Sequence, residues 1–195
     1  NTAKAIESGA GAVVLKSVIH YHQPHKIASW RLLDEERNYC RGRPPRLFTL
    51  YSRGGAAEQA EEWLKTIKAK QEMAAENDVK LIGSIMSGGP TDFLVKTAKT
   101  MEESGIEAIE LDLSCPGSAL WGSLIAQDEQ LSYDTVKAVT SATSVPIIAK
   151  LTPQVADVVK IAVAAKRAGA AAVTLTNRYT GFLVDIEKGL AINSG

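Results

Sequence analysis

The chain has no excess of either charge: 22 Lys and Arg balance 22 Asp and Glu over 195 residues, for a formal net charge of zero. With neither a basic face nor a long run of one sign, nothing in it attracts nucleic acid or an anionic bilayer, and neither partner is expected. Long apolar runs are missing too. None approaches the ~18 residues of a membrane span, and Asn1 to Glu7 carry no signal-peptide pattern, so a cytoplasmic location is expected. Cysteine is scarce. Cys40 and Cys115 stand far apart without metal-type spacing and are expected to be free thiols in a reducing compartment. No Rossmann glycine fingerprint and no iron–sulfur cysteine set occurs. His20, His22 and His25 lack the companion spacing of structural zinc and sit among arginines, so no metal is assigned to them. Linker composition and low-complexity tracts are absent, which leaves residues 1–195 as a single domain or part of one.

What is present is a weak internal repeat. Glu7-Ser-Gly-Ala-Gly-Ala-Val-Val-Leu15, Glu103-Ser-Gly-Ile-Glu-Ala-Ile-Glu-Leu111 and Arg167-Ala-Gly-Ala-Ala-Ala-Val-Thr-Leu175 each read as a helix end, a glycine stop and a strand. The apolar β-rich runs suit strands covered on both faces. Val79 to Met86 and Val145 to Leu151 supply two more strands, each preceded by an amphipathic segment. Helices are expected near Thr2 to Ser8, Ala56 to Glu76, Asp92 to Ser104, Ser132 to Thr143 and Val155 to Ala168. Five βα units in series make either an open doubly wound sheet or part of an eight-stranded barrel, which five strands are too few to close. A helix tail at the start with no strand before it makes the chain read as a piece of a longer one. Val18 to Ser52, with its histidines, arginines and Pro44-Pro45, is expected to be a long loop over the mouth rather than regular structure.

Chemistry concentrates where the strands end. The first offers Lys16-Ser17, the second Ser87-Gly88-Gly89, the third Asp112-Leu113-Ser114-Cys115, the fourth Lys150-Leu151-Thr152 and the fifth Thr176-Asn177-Arg178. In parallel α/β folds these ends converge on one mouth. Lysine inside an apolar strand is costly to bury unpaired, and two strands carry one at the same relative place, which favours an anionic or electron-rich ligand. Gly117 to Gly122, with Leu120 and Trp121, reads either as a lid or as an ordinary surface loop.

Four segments in order, Gly9 to Ser17, Glu110 to Pro116, Ile148 to Pro153 and Thr174 to Asn177, resemble the FMN-binding barrel of the dihydroorotate and dihydropyrimidine dehydrogenases. The resemblance spans nearly the whole chain and implies an FMN-linked (β/α)8 TIM barrel, with about five βα units present here. It also implies an oxidoreductase acting on CH–CH groups in pyrimidine metabolism. By match, Cys115 is the acid/base that exchanges a proton with one substrate carbon while hydride passes between the neighbouring carbon and flavin N5. A thiol with an ordinary pKa of ~8.5 suits that work. Lys150 matches the lysine near flavin N1 and O2, Lys16 and Ser17 match residues beside the flavin, and Thr176 lies near it. Asn177 matches a substrate-binding asparagine, with Asp112, Ser114 and Arg178 on the substrate side. A small-molecule substrate is implied, with a homodimer or an electron-transfer domain or subunit as partner.

Departures from the pattern bear on recognition. Asp112 stands where the family has asparagine, Ser87-Gly88-Gly89 replaces another, Gly117 stands where Asn or His is usual, and Arg178 replaces a small polar residue. Arg178 would pair with an anionic substrate group, or Asp112 would orient an amine or pair with Arg178. Two other functions fit parts of the sequence: a Schiff-base aldolase or lyase barrel using Lys150, and a catalytically inactive barrel that keeps flavin or a partner surface.

Overall fold

The computed structural model describes residues 2–20, 30–33, 47–50, 60–114, 122–177, 184–185 and 189–191. It divides into two compact units, Asn1–His22 with Ala57–Tyr179, and Gln23–Ala56 with Thr180–Gly195. In the first unit, α1 (Thr2–Glu7) leads into β1 (Ala12–Val14). In the second unit, β2 (Trp30–Leu33) pairs antiparallel with β3 (Leu47–Leu50). The first unit resumes with α2 (Ala60–Glu76), β4 (Lys80–Met86), α3 (Thr91–Glu103), β5 (Ile109–Asp112), α4 (Gly122–Ile125), α5 (Glu129–Thr140), β6 (Ile147–Lys150), α6 (Val158–Arg167) and β7 (Ala172–Thr174). The second unit also holds β8 (Val184–Asp185) paired antiparallel with β9 (Leu190–Ala191).

The five strands of the first unit form one sheet in the order β1-β4-β5-β6-β7, and all four neighbouring pairs are parallel. Within this sheet each strand lies beside the sheet strand that precedes it in the chain, β2 and β3 forming a sheet of their own. A doubly wound sheet reverses its order at a switch point, whereas the (β/α)8 barrel never does, so the order selects the barrel.

The repeat seen in the sequence has a common cause. Gly9, Gly105 and Gly169 adopt φ of +79°, +87° and +98°, and in each case the next residue's N–H reaches back five residues to a helical carbonyl: Ala10 to Ala5, Ile106 to Met101 and Ala170 to Ala165. These are Schellman closures, which a left-handed residue permits. The end of α2 uses Asp78 at φ 55° for the same purpose, with Val79 N–H bonded to the Ala74 carbonyl at 2.9 Å. Aspartate tolerates that conformation better than most side chains, which is why no glycine marks the fourth stop. At the other helix ends, Asp128 accepts from Leu131 N–H and Asp157 from Val159 and Lys160 N–H, capping α5 and α6.

One sheet face is apolar. Leu81, Ile85, Ile109, Leu111, Leu113, Ile147, Ala149 and Leu151 are buried in one cluster with α-helical partners such as Leu94, Met101, Val136 and Ile161. The opposite face is not the apolar cover expected from the sequence. Alternation places Ser84, Met86, Glu110, Asp112, Lys150 and Thr174 there, and the register sets Asp112 level with Met86 and Lys150, and Lys150 level with Thr174. At the far, amino end of β4, Lys80 donates to Glu107 at 3.0 Å, and this hydrogen bond raises the pKa of its fully exposed ammonium.

The 18–52 segment differs from the expected loop. Val18 bridges to Ile85 in parallel, and β2 and β3 fall within the segment. Trp30-Arg-Leu-Leu33 and Leu47-Phe-Thr-Leu50 are short runs rich in apolar residues, whose strand signal the intervening arginines and prolines obscured. Of the Gly117–Gly122 segment only Gly122 is described, and it opens α4.

Because Gly169 holds a left-handed backbone with its missing Cβ 3.3 Å from Thr140 Oγ1, Gly169→Val is expected to lower the unfolding free energy by at least about 1–2 kcal/mol. Urea denaturation checks this; an unchanged midpoint would contradict the closure.

Candidate active site at the strand ends

Two layers of polar side chains rise from the inner face toward the carboxyl ends. The lower layer centres on Glu110, which is only 5% exposed. Its Oε1 accepts from Lys150 Nζ at 3.2 Å and its Oε2 from Thr174 Oγ1 at 3.0 Å. The donors come from the next two strands, so both oxygens of a carboxylate that could not stay buried alone are engaged. Across the sheet, Ser17 Oγ and Ser84 Oγ share a hydrogen bond of 2.7 Å. Lys16, Ser17, Ser84, Glu110 and Lys150, with Val14 on the apolar side, line one cavity of about 460 Å³.

Asp112, Ser114 and Asn177 form the upper layer. Asp112 Oδ1 accepts from the backbone N–H of Ser114 at 3.0 Å and from its hydroxyl at 2.9 Å. This side-chain turn bends the chain out of β5 immediately before Cys115. Asn177 Nδ2 donates to Ser114 Oγ at 2.9 Å and lies 3.3 and 3.4 Å from the two Asp112 oxygens. The Asn177 backbone N–H bonds to the Leu151 carbonyl at 2.9 Å, tying the end of β7 to the end of β6. Asp112 and Ser114 are buried, while Thr176 and Asn177 are half-buried.

The structure therefore brings Lys16, Ser17 and Lys150 to one cavity, and joins Asp112, Ser114 and Asn177 in a hydrogen-bonded cluster on the same strand ends. Cys115 and Arg178 lie outside the described residues. Glu110, Ser84 and Thr174 were not singled out from the sequence. A signal existed for Glu110: Glu110, Asp112 and Ser114 recur at a spacing of two, which places three polar groups on one face of a strand. No group of three metal-ligating side chains occurs among the described residues, and His20 packs its ring 4.9 Å from that of Phe93.

A family model described as "Dihydroorotate dehydrogenase" matches residues 2–193. The chain belongs to the dihydroorotate dehydrogenase family. Its relatives include proteins named "Dihydroorotate dehydrogenase B (NAD(+)), catalytic subunit". The one from Methanocaldococcus jannaschii is 38% identical over 126 residues, covering 65% of this chain and 40% of the relative. The one from Methanocella arvoryzae is 33% identical over 185 residues, covering 94% of this chain and 55% of the relative. The chain thus spans roughly half, or less, of the curated relatives it matches. Among solved structures, the carboxyl transferase domain from Rhizobium etli pyruvate carboxylase gives a TM-score of 0.45 at 18% identity over 57% of this chain and 19% of that one, a likeness too low to argue from. Dihydroorotate dehydrogenases are flavin-dependent oxidoreductases acting on CH–CH groups, and the parallel βα sheet found here is a portion of their TIM barrel. No described helix is long and apolar enough to cross a membrane.

Asp112→Ala removes the acceptor for the Ser114 N–H, the Ser114 hydroxyl and the Asn177 amide. It is expected to cost about 1–3 kcal/mol of unfolding free energy, read by chemical denaturation. An unaltered stability would show that the cluster carries no such dependence.

Proposed function

We propose that this chain is the FMN-binding barrel region of an enzyme that oxidises dihydroorotate to orotate and works in the cytoplasm beside an electron-transfer subunit. The observation that carries this reading is the convergence of Lys16, Ser17 and Lys150 on one cavity next to the Asp112–Ser114–Asn177 cluster that leads into Cys115. The donor set suits FMN: two ammonium groups and a hydroxyl face a space within the roughly 300–1,000 Å³ range of small-molecule sites.

When bound, FMN supplies the hydride acceptor at N5. Lys16, Ser17 and Lys150 would hold it, and the Lys150 ammonium would favour the negative charge that flavin gains on reduction. Cys115 would take the proton from one substrate carbon, and the hydride from the adjacent carbon would go to the flavin, leaving a carbon–carbon double bond. Asn177 donates to substrate from the upper layer, and Ser114 and Asp112 hold that amide in place. Arg178 pairs with the substrate carboxylate. An NAD(+)-linked partner subunit would accept the two electrons, a reading that the names of the relatives support.

The imine alternative needs the Lys150 nitrogen free to attack a carbonyl, whereas that nitrogen is engaged by Glu110 Oε1 at 3.2 Å. No observation favours that alternative or the inactive barrel.

The test is anaerobic mixing of the FMN-loaded full-length protein with dihydroorotate, dihydrouracil or a reduced nicotinamide. Loss of the oxidised flavin band with dihydroorotate is expected; a flavin that none of them reduces would overturn the reading. Cys115→Ser is expected to keep the flavin spectrum and slow the half-reaction by ~10²-fold or more, because a hydroxyl is a poorer proton relay at neutral pH. Unchanged reduction would remove Cys115 from this role.

A further inference from the structure

We infer that Glu110, anchored by Thr174, is the positioning residue that draws the Lys150 ammonium into the strand-end cavity. The inference rests on the reading of Lys150 as a flavin-contacting residue. In the sheet register Lys150 is level with Asp112, the nearer carboxylate along the strands, and Glu110 sits one layer lower. Even so, the Lys150 ammonium bonds Glu110 rather than Asp112. The division follows from who else competes for each carboxylate. Asp112 is already taken up by the Ser114 N–H, the Ser114 hydroxyl and the Asn177 amide. Glu110 has one oxygen satisfied by Thr174 and the other left for an ammonium.

A flexible four-carbon side chain is thereby aimed down into the cavity that Lys16, Ser17 and Ser84 also line, instead of up toward the substrate cluster. The charged groups facing Lys150 from the described strands are Glu110 and Asp112 on β5 and Lys16 after β1, with neutral Thr174 on β7. Glu110 is thus the carboxylate in contact that opposes two cations in one space, and a fixed ammonium costs less ordering on cofactor binding than a free one.

The test uses the full-length protein with and without FMN. Amine labelling of Lys150 in the flavin-free protein, read peptide by peptide, is expected to rise several-fold in Glu110→Gln and in Thr174→Val, with Thr174→Ser restoring the native rate and Lys16 unaffected. In parallel, the FMN dissociation constant is expected to rise about tenfold in Glu110→Gln, as befits one ordered side chain released. Thr174→Val keeps the claim testable if Glu110→Gln fails to fold. Equal Lys150 labelling in the folded variants would overturn the assignment of Glu110, even with FMN bound normally. Absence of FMN binding in every form, with the labelling change intact, would instead overturn the flavin reading and leave Glu110 in its role.

Discussion

A carboxylate buried in the wall of a parallel sheet constrains everything around it. The Glu110 carboxyl is tolerated at 5% exposure because a lysine from β6 and a threonine from β7 both reach it, and the observed register is what presents them. A slip of one residue in β6 would turn Lys150 toward the helices and leave Glu110 facing Ile or Ala side chains. The polar inner face therefore specifies register as well as chemistry, while the apolar outer face, with Leu111 and Ala149 fully buried, supplies the burial that holds the layers together. Breaking one partner of such a group costs more than the pair gains, so the three strands stand or fall as one unit.

Above that layer the same logic repeats with a different outcome. Asp112 lies two residues on from Glu110 and takes its donors from its own turn and from Asn177, leaving the lysine to the lower carboxylate. Two acids on one strand face thus end with separate partners and separate tasks: one orders the cation of the cavity, the other stiffens the turn that leads to the thiol. The family relationship accounts for the barrel order. Aspartate at position 112 gives this chain a second buried carboxylate above the first, with acceptors only.

Much of the fold was legible because its punctuation is chemical. Glycine at 9, 105 and 169 marks three helix stops, and the structure gives all three the same left-handed closure. The end of α2 carries no such mark because Asp78 does the work of glycine there. The strand ends were legible as well, since Lys16, Ser17, Asp112, Ser114, Lys150 and Asn177 interrupt apolar runs. What the sequence did not reveal was partnership. Glu110 looked like one more residue in an apolar strand, and Ser84 and Thr174 are ordinary strand residues until a register brings them opposite Ser17 and Glu110. The β2–β3 pair was hidden for another reason: a four-residue strand carries little periodic signal, and its partner lies beyond a stretch of arginines and prolines.

The claim on which the account turns is that the strand-end cavity is built for a flavin. Equilibrium titration of FMN into the flavin-free full-length protein, followed by quenching of flavin fluorescence, tests it most directly. Saturable one-to-one binding that weakens when Lys16 and Lys150 are both replaced by alanine is expected. Binding that is absent, or indifferent to the loss of both lysines, would contradict it.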